Sequence, residues 1–434
     1  MGFNFEFIDE EKLKQEVISI RREIHRYPES GWTEFRTSSV IIKKLTELDM
    51  EVLYGRKIHK EESMLGLPSK QKNDLCMQRA ISEGGDPNLI MSMNGGFTGA
   101  IGILNGMMDG PTVALRFDID ANEIEESNFI KHKPYYEGFL SEHNGVMHSC
   151  GHDGHAAIGL GTAVILSKYK DRLKGRVIFI FQPAEEGDRG AKSIVDSGML
   201  DNVDYCLGAH IGLKAKKYGT IVAGTDGFLA STKFDVTFSG KPSHAGANPE
   251  LGENALLAAA TAVLNLYSIS RHSKGTTRIN VGVLNAGTDR NIIPDKAFLK
   301  IETRGNDNEL NEFMQTKAEK ICRSAAQMYD IDYDIKIVGE APTAVSDPEM
   351  IDIITKSALE LNEVTELIPL ISFGAGEDVT FMINEVQRQG GKASFMLLGS
   401  ELASGHHTKE FDFNEDVLML AAKVFSKVVI DILN

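Results

Sequence analysis

No stretch of the 434-residue chain approaches the roughly 20 apolar residues that a membrane-spanning helix needs, which argues against an integral membrane protein. The first residues, MGFNFEFIDEEKLKQ, lack a basic start followed by an apolar run, so no secretion signal is read there. Cysteine is scarce: Cys76, Cys150, Cys206 and Cys322 are too few and too scattered for a disulfide framework. These three absences together predict a cytoplasmic protein. An excess of positive charge is missing too. The net charge of −16 is spread along the chain rather than gathered in a tail, which disfavours nucleic acid and anionic membranes as partners. Internal repeats and low-complexity segments are also lacking. What remains is the composition of a globular enzyme, long enough for two or three domains with their own cores.

Residues 9 to 49 read as two helices separated by Pro28, whose fixed φ and missing N–H interrupt the first. A polar, irregular stretch follows from Gly55 to about Gly96. Apolar strand-like runs then alternate with helical patterns: PTVALRF at 111–117, a helix after Gly151, RVIFIF at 176–181 and the run ending at His210. This alternation predicts an α/β domain with a mostly parallel mixed sheet flanked by helices. Near residue 230 the pattern changes. KFDVTFSG alternates strictly, a helix with Leu256, Ala260, Val263, Leu264 and Tyr267 on one side follows, and strands at 276–284 and 296–304 precede a second helix. This βαββα block predicts a small inserted α+β domain over 230–340, within an α/β domain made of 1–229 and 341–434.

Metal-ligand side chains gather at four places. MHSCGHDGH (147–155) offers Cys150, His152 and His155, with His148 and Asp153 beside them. Thiolate and imidazole are the donors that zinc and similar ions prefer. Taken alone the segment also reads as a polar loop with a helix cap at Asp153. FQPAEEG places Glu185 and Glu186 just after a buried-type strand, where α/β folds present ligands; a solvated acidic turn is the alternative. His210 ends another apolar run, a position a core histidine also takes. GHHTKEFDFNED brings His406 and His407 before the C-terminal helix. The coincidence of all four favours metal. Two ions held together lower the pKa of a water and polarise a carbonyl, and a spare Glu can act as general base.

MHSCGHDGH, FQPAEEG, AHIG, SGKPSHAG, RNIIPD, ETRG and GHHTKEFDFNE occur in the order seen in the metallopeptidase family of carboxypeptidase G, aminoacylase and the hippurate and auxin-conjugate amidohydrolases. The chain resembles that family over nearly its whole length, and the CGHD form is that of the amidohydrolase branch. RREIHRYPESGWTEFRT, LGLPSKQKNDLCMQRAISEGGDPN and GGFTG bring it nearer to the branch members that act on p-aminobenzoyl-glutamate.

The resemblance implies that Cys150, His152, Glu186, His210 and His407 bind two divalent metal ions per subunit (Mn or Zn) and that Glu185 is the catalytic base. His407 is chosen over His406 because the family's ligand stands four residues before the aromatic that Phe411 matches. Asp118, Asp120 and His155 are expected to orient the ligands. The insert becomes a lid and dimerisation domain. In it His244 reaches the scissile carbonyl from a partner subunit, while Asn291 and Arg304 hold the substrate's free carboxylate. The expected activity is hydrolysis of p-aminobenzoyl-glutamate to p-aminobenzoate and glutamate. A broader N-acyl-amino-acid amidohydrolase or dipeptidase is the alternative, and a co-dependent chain that works only with a homologous partner is another. Expected partners are a small N-acyl-glutamate substrate and either a second copy or a homologous B subunit. The sequence does not mark which residues contact an aromatic acyl group; Trp32 and the 55–98 segment are the places to look.

Overall fold

The computed structural model describes residues 5–434. They form two compact units. The first runs to Asp226 and includes Ala344–Phe373 and Asp378–Asn434; the second is Gly227–Thr343 with Gly374–Glu377. The short 374–377 segment joins the inserted unit through backbone hydrogen bonds from Gly374 to Gly227 and from Leu229 to Ala375, a return that nothing in the sequence pattern announces.

In chain order the strands are β1 (Glu51–Tyr54), β2 (Ala100–Asn105), β3 (Met108–Asp118), β4 (Lys174–Gln182), β5 (Tyr205–Ile211), β6 (Thr220–Val222) and β7 (Thr225–Asp226). The second unit contributes β8 (Ala230–Ser239), β9 (Thr277–Ala286), β10 (Lys296–Gly305) and β11 (Asp332–Ala341). The chain ends with β12 (Glu366–Ile368), β13 (Ile371–Ser372) and β14 (Lys392–Leu398). The first unit's sheet has the order β1-β2-β4-β3-β5-β14-β6-β12, and β7 pairs with β13 apart from it. Its centre, β4-β3-β5-β14, is parallel, whereas β1 and β2 on one side and β6 on the other pair antiparallel. The parallel centre follows from the runs TVALRF, VIFIF and CLGAHI, which are buried on both faces and carry no solvent-side alternation.

Helix His152–Tyr169 is apolar nearly all round and buried accordingly. It packs on β3 and on the C-terminal helix Asp416–Leu433. Gly159 permits the close approach, because a Cβ there would meet Phe117 and Phe181 at 2.7 Å. The N-terminal helices fall on either side of Pro28, at Glu10–Arg26 and Phe35–Glu47. The stretch from 55 to 96 is not wholly irregular: it contains helices Lys70–Ser82 and Pro87–Ser92, capped by the side chains of Ser69 and Asp86. Only Asn73, Met77 and Ala80 of the longer helix are buried, too thin an apolar stripe to reveal it in the sequence. No helix among the described residues is long and apolar enough to cross a membrane.

The second unit is one antiparallel sheet, β11-β8-β10-β9, backed by helices Ala255–Leu266 and Asn308–Met328. Phe234, Val236, Phe238, Leu299 and Ile301 of the sheet pack with Met314 and Cys322 of the second helix. The block is therefore βαββαβ rather than βαββα. Strand β11 pairs on one side only, to β8, and its half-polar DYDIKIVGEA reflects that edge position.

A buried ionic network ties the first unit's helices together. The Arg21 guanidinium, fully buried, meets Asp153 at 2.7 Å, Asp412 at 2.7 Å and Glu415 at 3.3 Å. His25 lies between Asp153 (2.8 Å) and Glu126 (2.9 Å). Burial and the Arg21 charge oppose protonation of His25, but the two carboxylates outweigh them and raise its pKa to about 9. A raised folded-state pKa contributes stability that is complete below the unfolded value and lost as pH rises through about 9. The Tm difference between the wild-type protein and His25→Gln should accordingly be larger at about pH 6 than at about pH 10. A difference independent of pH in thermal unfolding would show that His25 is neutral in the fold.

Candidate metal centre

The site assembles at the C-terminal ends of the parallel strands, where side chains escape the ladder. Strand β3 delivers Asp118 and, two residues on, Asp120; β4 leads into Glu185 and Glu186; β5 carries His210 near its end. Gly151, with φ +91°, turns the chain between Cys150 and the helix that opens with His152. The turn bearing His407 is fastened by its backbone N–H to the Ser149 carbonyl at 2.8 Å. Ala184, Asp188 and His407 all hold positive φ without being glycine, a conformation that persists where surrounding contacts over-determine it.

Among the sets of donor atoms within mutual reach are Cys150, His152 and His210; Cys150, Glu186 and His407; and His152, Glu185 and Glu186. Cys150 Sγ stands 3.4 Å from His210 Nε2. Glu186 Oε1 faces His407 Nε2 at 3.1 Å without the geometry of a hydrogen bond. His152 Nε2 is buried and makes no hydrogen bond at all. Unpaired, buried polar atoms converging with thiol, imidazole and carboxylate are what a divalent cation of the zinc or manganese kind requires.

The ring orientations agree with that fit. His210 donates Nδ1–H to the Ile211 carbonyl (2.8 Å), which leaves Nε2 as the bare nitrogen beside Cys150. His152 directs Nδ1 at Asp120 (3.2 Å) and so presents Nε2. Asp120 also accepts the backbone N–H groups of Glu185 (3.1 Å) and Glu186 (3.0 Å), fixing the acidic pair and the imidazole with one carboxylate. His155 is fully engaged: Nδ1 meets Asp118 at 2.5 Å and Nε2 accepts the Ile211 N–H at 3.0 Å. Of the 406–407 pair, His407 reaches the donor cluster, whereas His406 turns Nε2 to the Ile211 carbonyl.

Electrostatics favour positive charge in the cluster. Burial alone would raise the Glu186 carboxyl, but His407 and His152 hold it at about 2. Cys150 and Glu186, close to its ring, raise His407 to about 10. His152 is raised well above its ordinary value, because Asp118 and Asp120 outweigh its burial. A bound cation takes the place of these protons, so metal uptake releases them.

The insert's candidate residues form a separate arrangement. His244 bridges Ile292 in the backbone, and the Ala245 N–H donates to the Asn291 carbonyl at 2.9 Å, so His244 and Asn291 share one strap. His244 Nδ1 accepts from Gly246 and Ala247 (both 3.1 Å), which places the ring proton on Nε2 as an outward donor. Arg304 is not open-handed: its fork grips Glu302 at 2.8 and 2.9 Å.

Trp32 is no surface for an acyl group. It is buried with Met64, Phe97 and Ala184, and its indole N–H donates to the Leu65 carbonyl at 2.7 Å. It supports the loop that carries the acidic pair. Sequence reasoning also missed Glu34, which accepts the Ala184 N–H (2.8 Å), and Arg189, which donates to the carbonyls of Glu186 (2.8 Å) and Gly66 (3.2 Å). Arg116 did leave a signal, a charge inside the apolar run PTVALRF. It is buried against Asp118 (2.6 Å), Gln182 (2.8 Å) and Asp378 (3.1 Å) and ties β3 to β4 beneath the site.

The family model described as Peptidase family M20/M25/M40 matches residues 114–431. The chain belongs to that family. It is 42% identical to indole-3-acetyl-aspartic acid hydrolase of Enterobacter agglomerans, over 96% of this chain and 95% of that one. It is 42% identical to a p-aminobenzoyl-glutamate hydrolase subunit of Escherichia coli K12, covering 97% and 98%. The crystal structure of an aminobenzoyl-glutamate utilization protein from Klebsiella pneumoniae superposes with a TM-score of 0.84 at 36% identity, covering 97% of each chain. This member of the M20/M25/M40 family is a metal-dependent amidohydrolase, and its donor cluster fits a divalent cation. Asp120→Ala removes the carboxylate that orients His152 and anchors the acidic pair. Metal titration of this variant should show affinity reduced roughly ten- to a hundred-fold. Undiminished affinity would mean that Asp120 positions nothing.

Proposed function

We propose that the chain hydrolyses p-aminobenzoyl-glutamate to p-aminobenzoate and glutamate, using two divalent ions, manganese or zinc, held by Cys150, His152, Glu186, His210 and His407. The observation that carries this reading is the overlap of the donor groups. Cys150 belongs to one set with His210 and to another with His407, while Glu185 stands among the donors at 3.9 Å from His152 without being needed by either of those sets. Two ions bound there would activate water and polarise the scissile carbonyl. Glu185 takes a proton from the attacking water and returns it to the leaving amine. His244, with its proton on Nε2, donates to the developing oxyanion from a partner subunit, and Asn291 and Arg304 hold the free carboxylate.

The relatives' names support an aromatic acyl group joined to an acidic amino acid, and two of them differ in that amino acid at equal identity. An aspartate conjugate is therefore a second substrate to compare, beside hippurate and dipeptides for a broader specificity. The Escherichia coli relative is named as one subunit of its hydrolase, which supports a homologous partner chain, with a homodimer as the simpler assembly. The location is taken to be cytoplasmic. Assay of the purified chain with added Mn²⁺ separates the two assemblies: turnover by the chain alone establishes a competent homo-oligomer, and turnover only with a homologous chain establishes the heteromer.

Glu185→Gln should retain the metals and lose nearly all turnover, at least roughly a hundred-fold. Metal content and steady-state rates on p-aminobenzoyl-glutamate check this together. A metal-loaded variant that keeps a tenth of the wild-type rate, on the order of 1.4 kcal/mol in barrier, would sink the assignment of the base.

A further inference from the structure

The face of the second unit's sheet away from its helices is polar and carries Lys233 and Asp235 on β8 and Lys300, Glu302 and Arg304 on β10. Strand register sets Arg304 directly opposite Arg278 of β9, so two guanidinium side chains start side by side on this face. Like charges directly opposed across an antiparallel pair are destabilising unless an anion lies between or beside them. Glu302, two residues before Arg304 on the same face, supplies one carboxylate, and Arg304 takes it in a two-point grip. Arg278 has none. Its guanidinium donates only to the Thr277 carbonyl at 3.0 Å, and that carbonyl also receives Arg271 at 3.1 Å. Neither Arg278 nor Arg271 pairs with a carboxylate among the described residues, in a chain whose net charge is −16.

A lone exposed arginine needs no ligand, since water serves it well. Two in register, one clasped by an internal carboxylate and the other without one, match a ligand that bears two carboxylates. We propose that Arg278 and Arg304 form a seat for the acidic amino-acid part of an N-acyl-glutamate. Arg304 takes the α-carboxylate and Arg278 the side-chain carboxylate, while Glu302 occupies the Arg304 fork until substrate displaces it. The inference rests on the proposed reading of Arg304 as the carboxylate-holding residue. It adds the element that selects acidic conjugates over neutral ones, and a competitor built into the strand.

The test compares p-aminobenzoyl-glutamate with p-aminobenzoyl-glutamine, which keeps the α-carboxylate and loses the other. The metal-loaded full chain is assayed as wild type, Arg278→Gln, Arg278→Lys and Glu302→Gln. The wild type should prefer the glutamate conjugate. Arg278→Gln should cut that preference roughly ten-fold or more, the worth of one charge-assisted hydrogen bond, with the change in KM. Arg278→Lys should restore part of it. Glu302→Gln should lower KM for the glutamate conjugate several-fold, because the fork is no longer occupied. An unaltered preference in Arg278→Gln overturns the seat, and an unaltered or raised KM in Glu302→Gln overturns the competitor. Should Arg278→Gln fail to fold, the Lys and Glu302→Gln variants still decide. Wild-type protein that cleaves neither conjugate overturns the functional reading itself, an outcome distinct from cleavage with an Arg278-independent preference.

Discussion

Asp120 satisfies three donors from two parts of the chain: the imidazole of His152 and the backbone N–H groups of Glu185 and Glu186. The acidic pair lies beyond the end of β4, where the sheet no longer supplies partners, and the imidazole sits at the first position of a helix whose opening N–H groups are unpaired by construction. One carboxylate at the end of β3 gives both a fixed address. The orientation of the His152 ring, and hence which nitrogen it presents, follows from that contact. So does the direction in which two adjacent carboxylates leave a backbone that is strained at Ala184 and Asp188. The supports beneath are of the same kind. Glu34 holds the Ala184 N–H, Arg189 holds the Glu186 carbonyl, and Arg116 binds β3 to β4 through Gln182.

Two of the buried charge clusters in the first unit differ in one respect. Around Arg21 the charges are closed: each carboxylate of Asp153, Asp412 and Glu415 has a cation, and burial is tolerated because the pairing is complete. Around Cys150 the pairing is open. His152 Nε2 lacks a hydrogen-bond partner, Glu186 Oε1 faces His407 without a hydrogen bond, and both imidazoles are driven to protonate by the anions near them. Asp153 belongs to the closed cluster and His152 to the open one, yet they are consecutive on one helix. The closed cluster thereby anchors the helix end that presents the open one.

Much of this was legible in the sequence, for a physical reason. The runs in β3, β4 and β5 are long and, Arg116 apart, mostly apolar, so a donor side chain at the end of one draws notice. Glu186 and His210 stand out in that way, whereas Cys150, His152 and His407 are marked by the motifs that carry the family resemblance. What stayed hidden was held by backbone groups or by short polar contacts. Trp32, a place to look for a ring contact, is a prop packed with Ala184, its indole N–H bonded to the Leu65 carbonyl. Helix Lys70–Ser82 buries too little to show a period, and β11 is an edge strand with only two of its ten residues buried. The clasp between Arg304 and Glu302 depends on i, i+2 geometry that any strand would share, so sequence spacing alone could not mark it.

The two units thus solve different problems with different sheets. A parallel sheet buried on both faces offers only its strand ends, and what collects there is a compact set of donors held by second contacts such as Asp120 and the Ile211 carbonyl. An antiparallel sheet with one free face offers a surface, on which cross-strand register sets the distance between charges. The first arrangement suits chemistry, since a small displacement of a donor alters coordination and reactivity. The second allows variation, since an outward residue can be replaced while the core of Phe234, Val236 and Leu299 beneath it is untouched. In a chain of net charge −16, the register that sets Arg278 opposite Arg304 places two guanidinium side chains together on that face.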